Sequence, residues 1–120
     1  MVTSKFEIYD DESTPSKIRF RLKASGNSEN IGKSQGYTVK QSAENGIASV
    51  KENSQKRENF KIEPTEDEKY YWNLWAQNEK IVLSASETYE SKQGAEVGIK
   101  SVMKNAPTAE VIYLTKPKAA

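Results

Sequence analysis

An internal repeat constrains this chain more than any other feature of its sequence. Shifting the sequence by 52 residues aligns Phe20–Ser54 with Trp72–Ala106 without a gap, and 13 of the 35 aligned positions are identical. Nine of these identities fall within Lys40–Asn53. Self-similarity at a fixed spacing indicates a structural unit that occurs twice. We therefore predict one repeat at about residues 5–56, a second at about 57–115, and a flexible tail at 116–120.

Each repeat begins with runs of alternating apolar residues, which are typical of β-strands that bury one face. The apolar positions of the first three strands are Phe6 and Ile8, then Ile18, Phe20, Leu22 and Ala24, then Ile31. Their counterparts are Phe60 and Ile62, then Tyr70, Trp72, Leu74 and Ala76, then Leu83. The acidic segments 10–12 and 66–68 are predicted to be polar turns, with a calcium or magnesium loop as the alternative.

The spacing of apolar residues then changes to that of an amphipathic helix. The buried stripes are Ala43, Ile47 and Val50 in the first repeat and Ala95, Ile99 and Val102 in the second. On the solvent side we expect i, i+4 ion pairs between Lys40 and Glu44 and between Lys92 and Glu96. Each repeat is thus predicted to continue from three strands into one helix.

Several residues predict where the helices begin and end. Thr38 with Gln41 fits a capping box for the first helix, and Ser91 fits an N-cap for the second. Asn53 and Asn105 suit a left-handed residue at the helix end.

Glycine recurs inside both predicted helices, at Gly46 and Gly98. Because glycine weakens a helix by about 1 kcal/mol relative to alanine, its repetition indicates a shared geometric need. We expect a close approach of each helix to the sheet or to the other helix; a gap for a ligand is the alternative.

A short apolar segment follows each helix, and it links the two repeats. Phe60–Ile62 closes the first repeat and opens the second, so the repeats must interlock there; 111–114 follows the second helix. A chain of about 50–60 residues alone would bury only about 60% of its unfolded surface. We therefore predict an α+β fold in which two tandem β-β-β-α-β units share one antiparallel sheet, with both helices on one face and pseudo-two-fold symmetry. Residues 1–120 would form a single domain.

The composition excludes several classes of function. The chain has no cysteine and no histidine, which excludes disulfides, thiol catalysis, Cys/His zinc sites and imidazole acid–base chemistry. Eighteen basic and 17 acidic residues leave a net charge of +1, so no global field favours nucleic acid or an anionic membrane. No apolar run approaches 18 residues and none follows Met1–Lys5, so we expect a cytoplasmic protein without membrane association. We predict no catalytic residue, no cofactor and no metal site.

The face of the second strands that points away from the helices is the candidate binding surface. It carries Arg19, Arg21 and Lys23 in the first repeat and Tyr71, Asn73 and Trp75 in the second, and Tyr9 and Lys61 could extend it. Cations and aromatic rings on an open sheet can stack bases and hold phosphates, and aromatic rings also stack on sugars. The alternatives are a solvated outer face and a face covered by a second subunit.

Three segments of the first repeat and three of the second resemble the YegP-like family of small bacterial and archaeal proteins. They are 20–24 (FRLKA), 34–37 (SQGY) and 40–50 (KQSAENGIASV), together with 89–92, 98–102 and 105–107 in the second repeat. The resemblance spans about residues 5–115 and implies tandem β(3)-α-β units, or dimers of single units, that form one sheet with exchanged terminal strands. It implies a fold and carries over no catalytic residue. The chain departs from the pattern at Val39, where the second repeat keeps Ser91, and in its aromatic run at 70–72.

These observations leave several hypotheses about function. The first is a non-catalytic binding or interaction module that uses the open face of the sheet or self-association. A more specific form is weak binding of single-stranded nucleic acid or carbohydrate through Trp75 and Tyr71 with Arg19 and Arg21. The third hypothesis is an enzyme with carboxylate or lysine chemistry.

Overall fold

Seven strands and two helices form within the part of the chain that the structure describes. The computed structural model describes residues 3–11, 17–25 and 29–114. The strands are β1 (Lys5–Asp11), β2 (Lys17–Lys23), β3 (Asn30–Lys33), β4 (Phe60–Pro64), β5 (Tyr70–Trp75), β6 (Ile81–Ala85) and β7 (Glu110–Tyr113). The helices are α1 (Lys40–Asn53) and α2 (Lys92–Asn105), each followed by a 3₁₀ turn, Arg57–Asn59 and Ala106–Thr108. The predicted tail at 116–120 lies outside the described residues.

The seven strands form one sheet in the order β4-β5-β6-β3-β2-β1-β7. The antiparallel meanders β1-β2-β3 and β4-β5-β6 meet where Gly32 pairs with Ala85 and Lys33 pairs with Ser84. β7, however, runs parallel to β1, so the prediction of an antiparallel sheet is wrong at this edge. The reason is where α2 ends: the Ser4 hydroxyl donates a hydrogen bond of 3.1 Å to the carbonyl of Asn105. Because α2 ends beside the start of β1, a strand that follows α2 and pairs with β1 runs in the same direction as β1.

β7 is the strand that crosses between the two halves of the chain. It follows α2 of the second half and pairs with β1 of the first half. Phe60–Ile62, which was predicted to serve both repeats, pairs with β5 of the second half alone within the described sheet. The two halves therefore interlock at the C-terminal strand. β4 follows α1 along the chain and pairs within the second half, so β7 is the described strand that follows one half and pairs with the first strand of the other.

Both helices cover the same face of the sheet and share one apolar core. The alternating strand residues Phe20, Leu22, Trp72 and Leu74 are fully buried beneath them. α1 contacts β2 of its own half and β5 and β6 of the other, while α2 contacts β4, β5 and β3. Among the described residues, neither helix has the length and apolar character needed to cross a bilayer.

The two helix glycines lie where the helices come closest to the sheet. A Cβ atom on Gly46 would lie 3.0 Å from Cε2 of Phe20 and 2.5 Å from the Tyr37 hydroxyl oxygen. A Cβ atom on Gly98 would lie 2.9 Å from Nε1 of Trp72 and would also meet the hydroxyl of Tyr89. The predicted close approach of the helices to the sheet is confirmed, and a tyrosine hydroxyl fills the space beside each glycine.

The helix boundaries differ in part from the prediction. Ser91 caps α2 as predicted, because its hydroxyl accepts a hydrogen bond of 3.0 Å from the Gly94 N–H. The capping box at Thr38 is wrong: Val39 occupies the N-cap position of α1, and no side chain caps the helix.

The asparagines at the helix ends are not left-handed. Asn53 and Asn105 are the last helical residues, and Asn105 has a φ of −90°. Each side-chain amide instead donates a hydrogen bond of 2.8 Å to the carbonyl four residues earlier, on Ser49 and Ser101. Local bonding of this kind satisfies helix-end carbonyls without a change of handedness.

The third strands differ by one residue from the gapless alignment of the repeats. Leu22 pairs with Gly32, whereas Leu74 pairs with Leu83, a separation of 51 residues rather than 52. The offset arises in the preceding hairpins, which close through Ala24 N–H to Glu29 C=O and through Ala76 N–H to the carbonyl of residue 80. It disappears at Tyr37 and Tyr89, which bridge to corresponding residues of β2 and β5.

The side chain of Leu83 fills the space where the two repeats meet in the middle of the sheet. By strand pairing Gly32 corresponds to Leu83, and a Cβ atom on Gly32 would lie only 2.7 Å from Cδ2 of Leu83. Leu83 is fully buried and covers the glycine of the neighbouring strand. The β3–β6 junction therefore depends on a large residue in one repeat and none in the other.

Candidate functional site

Cross-strand pairs place a row of polar residues on the side of the sheet opposite the helices, here called the outer face. From β1 to β4 the row runs Glu7, Arg21, Lys33, Ser84, Asn73 and Lys61. The predicted residues Arg19, Lys23, Tyr71 and Trp75 lie two positions along β2 or β5 from this row, so they share its face. All six predicted residues thus lie on the outer face, as do Tyr9 and Lys61.

The structure separates the six residues into two groups. The basic cluster (Arg19, Arg21 and Lys23) lies on β2, and the aromatic cluster (Tyr71, Asn73 and Trp75) lies on β5. β3 and β6 run between them, with Lys33 and Ser84 in the middle of the row. Three strand spacings amount to about 14 Å. A ligand that contacts both clusters must therefore be longer than one base or one sugar ring.

Carboxylates of β1 neutralise the basic cluster. Nε of Arg19 lies 2.6 Å from Oδ2 of Asp11, and Nε of Arg21 lies 2.8 Å from Oε1 of Glu7. Lys23 Nζ lies 3.4 Å from the same oxygen of Glu7. These partners were not predicted from the sequence, although the alternation of β1 places Glu7 and Asp11 on one face. The pairing weakens the case for a phosphate site, because the two carboxylates reduce the positive charge that would attract a phosphate.

Glu7 is a buried carboxylate that stays ionised. Its residue is 6% exposed. Burial alone would raise the pKa of Glu7, but the hydrogen bond from Arg21 and the charges of Lys23 and Arg21 outweigh burial, so the pKa lies below its usual range. Glu7 therefore acts as an anchor for two cations, and it is unsuited to donate a proton at neutral pH.

The aromatic cluster has polar support and one unused donor. Ser84 Oγ donates a hydrogen bond of 2.7 Å to Oδ1 of Asn73, and Lys61 Nζ lies 5.3 Å from the centre of the Trp75 ring. The indole nitrogen of Trp75 is buried and has no hydrogen-bond partner among the described residues. Buried N–H groups are rarely left in this state.

A groove of about 560 Å³ lies over β3 and β6 beside the basic cluster, and of the six predicted residues Arg19 alone lines it. It is lined by Tyr9, Asp11, Arg19, Lys33, Ser34, Gln35, Ile81, Leu83 and Ser84. The Arg19 guanidinium also donates to the carbonyl of Ser34 (3.2 Å), so this arginine is fixed as part of the wall. Lys33 is exposed and forms no ion pair within the described part of the chain. The groove thus offers an exposed cation, an amide and apolar surface to a ligand on the outer face.

The predicted acidic turns have different outcomes. Residues 66–68 form a turn as predicted, and Glu68 there has a φ of 64°. Asp10 and Asp11 belong to β1 instead, and residue 12 lies outside the described residues. Within residues 3–11, 17–25 and 29–114, no three carboxylates converge as metal ligands.

Comparison with known proteins identifies the family. The model of a domain of unknown function, DUF1508, matches residues 14–60 and again residues 66–112. The UPF0339 protein YegP of Escherichia coli O157:H7 is 43% identical over 106 residues, which cover 88% of this chain and 93% of that protein. A UPF0339 protein encoded in the ptx operon 5′ region of Stutzerimonas stutzeri is 36% identical over 111 residues, covering 92% and 96%.

Solved structures agree with this assignment. The solution NMR structure of yegP from E. coli superposes with a TM-score of 0.85 at 36% identity and covers 98% of both chains. That of a UPF0339 protein from Shewanella oneidensis gives a TM-score of 0.82 at 37% identity, covering 94% of this chain and 92% of the other. The resemblance noted in the sequence is confirmed: the chain belongs to the YegP-like UPF0339 family and carries its DUF1508 domain twice in tandem.

Proposed function

We propose that this protein is a non-catalytic binding module that uses the outer face of the sheet. The observation that carries the proposal is the uncovered groove beside the basic cluster, with Lys33 exposed in its lining. Both helices pack on the opposite side, so no described element competes for this surface. The carboxylate of Glu7 is held by Arg21 and Lys23 and its pKa is lowered, so this residue offers no general acid to an enzyme with carboxylate chemistry.

A more specific form of the proposal is a weak binder of single-stranded nucleic acid or of carbohydrate. Tyr71 and Trp75, both half-buried, supply stacking rings on one face of β5. Of the two ligands, carbohydrate is favoured, because it does not depend on the positive charge that Asp11 and Glu7 reduce in the basic cluster. The separation of the clusters, about 14 Å, favours an oligomer over a single unit of either kind.

The proposal includes a symmetric single domain that works in the cytoplasm. Pseudo-two-fold symmetry is supported by the pairing of Lys33 with Ser84, which correspond when the offset of 51 residues is applied. A single domain over residues 1–120 is supported by the helix contacts that cross between the halves. The absence of cysteine suits a reducing compartment. Cell fractionation with an antibody would test the location.

A titration followed by NMR tests the outer face directly. The labelled protein would be titrated with a thymidine hexanucleotide and, separately, with cellohexaose. We expect backbone amide shifts at Lys33, Asn73 and Trp75 with at least one probe. Trp75→Ala should abolish them, because each stacked ring contributes about 1–3 kcal/mol. Val97→Ala is the matched control, since Val97 is 63% exposed on α2, on the helix side.

The same experiment can refute the proposal. Shifts confined to the helix side would place the binding surface elsewhere. If neither probe shifts any outer-face amide, and sedimentation shows a monomer at millimolar concentration, both ligand binding and self-association through this face are wrong.

A further inference from the structure

The two edges of the sheet end differently, although the repeat makes them correspond. β1 and β4 hold equivalent places, because Phe6 pairs with Leu22 and Phe60 pairs with Leu74 at the same positions of the repeat. β7 covers the outer edge of β1, whereas β4 is the last described strand at the opposite edge. The filled edge therefore shows what kind of segment fits beside β4.

The backbone of β4 presents part of the hydrogen-bonding pattern of β1: the carbonyl of Phe60 and the backbone of Ile62 match, whereas the Phe60 N–H bonds to the carbonyl of Arg57 and Pro64 has no N–H. The carbonyls of Ser4 and Ile8 accept bonds of 3.1 and 2.8 Å from the N–H groups of Glu110 and Leu114. Ile62 corresponds to Ile8, since these residues pair with Trp72 and Phe20. Because alternate residues of a strand point their backbone groups to the same side, Phe60 and Ile62 direct theirs to the open edge.

The helices also offer equivalent side chains above the two edges. On the filled side, the Tyr113 hydroxyl of β7 donates to the carboxylate of Glu44 on α1. Lys40 Nζ lies 5.1 Å from the centre of the Tyr113 ring. α2 carries the same pair in the same places, as Lys92 and Glu96. A strand beside β4 would thus meet a carboxylate that can accept from its side chain.

In this structure Arg57 occupies those acceptors. Its Nε and Nη2 atoms lie 2.6 and 2.7 Å from the two carboxylate oxygens of Glu96. Its Nη1 atom donates a bond of 2.9 Å to the carbonyl of Phe60. Arg57 therefore occupies the carbonyl of Phe60 at the edge and the carboxylate of Glu96 above it. These contacts hinder the pairing of another strand with β4.

We propose that the β4 edge is a docking site for an extended segment of a partner protein, and that Arg57 closes this edge in the free protein. The segment adds as an eighth strand parallel to β4, with alternating apolar residues toward the helices and a hydroxyl or cationic donor that replaces Arg57 on Glu96. Strand addition of this kind draws its affinity from backbone bonds and its specificity from alternate side chains. The side chains of Arg57 and Glu96 are 41% and 34% exposed, so solvent screens this contact and can hydrate both groups when it opens. This site is separate from the outer face.

A peptide copied from β7 is the probe. The hexapeptide of residues 109–114, acetylated and amidated, would be titrated into the full chain while amide shifts are recorded. We expect shifts at Phe60 and Ile62, and about two- to fivefold tighter binding to Arg57→Ala because the competing side chain is gone. Lys56→Ala is the control that should leave the affinity unchanged. A peptide carrying Tyr113→Phe should lose part of the gain, since it cannot donate to Glu96.

Three outcomes would overturn the proposal. Neither protein binds the peptide at millimolar concentration; or the shifts appear along β1, which means that the peptide displaces β7; or Arg57→Ala forms dimers without binding the peptide, so that the occupant is a second copy. Arg57→Lys, which keeps the charge but loses the two-point contact, gives an intermediate affinity and serves if the alanine variant fails to fold.

Discussion

At the residue scale, we expect the addition of a single methyl group at Gly98 to destabilise the protein. Alanine normally stabilises a helix relative to glycine by about 1 kcal/mol. Here its Cβ would lie 2.8 Å from Cζ of Tyr89, which is half-buried, and 2.9 Å from Nε1 of Trp72, which is fully buried in the core. We expect Gly98→Ala to lower the free energy of unfolding by about 1–3 kcal/mol, measured by urea denaturation.

Gly94 provides the matched control on the same helix. A Cβ atom there would lie 3.4 Å from the nearest side-chain atom, an ordinary contact. Gly94→Ala should therefore be neutral or stabilising. Equal destabilisation by both substitutions would show that close approach is not the reason for the glycine at 98.

Glu7 should make stability depend on pH in the acid range. Its folded pKa lies below the usual value, so the folded state binds fewer protons than the unfolded state. The stabilisation is complete above the usual carboxyl pKa and is lost as the pH falls through the lower folded value. Glu7→Gln should cost about 1–3 kcal/mol at pH 7 and should flatten the fall in stability between pH 5 and pH 3.

Glu63→Gln is the comparison for this measurement, because Glu63 shares the outer face but forms no ion pair within the described part of the chain. A stability profile of Glu7→Gln that keeps the acid dependence of the wild type would contradict the role assigned to Glu7.

The face on which the candidate residues lie was predictable from the sequence, but the ion pairs of the basic residues were not. Strand alternation alone placed Arg21 and Asn73 on one face, since a strand allows only two faces. The neutralisation of Arg21 by Glu7 depends on which strand lies beside β2 and in which register, and no local pattern encodes that choice. The separation of about 14 Å between the clusters likewise follows from the strand order.

At the element scale, the two helices differ at their N-termini in a way that can be reversed. Ser91 and Val39 have similar extended backbones, with φ of −145° and −135°, but only Ser91 bonds to a helix N–H. We expect Val39→Ser to stabilise the protein by about 0.5–1 kcal/mol and Ser91→Ala to destabilise it by a similar amount. Thermal unfolding of both variants beside wild type would measure this.

Thr38→Ala serves as the control for the cap, because Thr38 precedes the N-cap residue and is exposed. A loss of stability in Thr38→Ala that matches the loss in Ser91→Ala would restore the capping box that the structure rejects.

Most elements were predictable from residue spacing, and their connections were less so. The apolar periods located three strands and a helix in each half because burial acts on each element separately. The parallel direction of β7 depends on where α2 ends against Ser4, a contact between residues 101 positions apart. The one-residue offset of β6 was hidden for a similar reason, since a shorter hairpin and a longer return to Tyr89 cancel in the alignment.

At the scale of the whole molecule, the two halves should unfold together. Each helix contacts strands of both halves, and β7 joins the end of the chain to its first strand. We expect one calorimetric transition with equal calorimetric and van't Hoff enthalpies, and amides of β2 and β5 that exchange at the same free energy. Two transitions, or a large difference in exchange between β2 and β5, would mean that the repeats are separate domains.

The contact between Gly32 and Leu83 means that a perfect duplicate could not build this protein. Two copies of the first half would bring glycine against glycine and leave a hole the size of a leucine side chain. Two copies of the second half would force a pair of leucines into the room that one of them fills. After a gene duplication, the two copies of such a unit must therefore differ at the β3–β6 junction. A protein with two identical halves would first need a new pair of residues in place of Gly32 and Leu83.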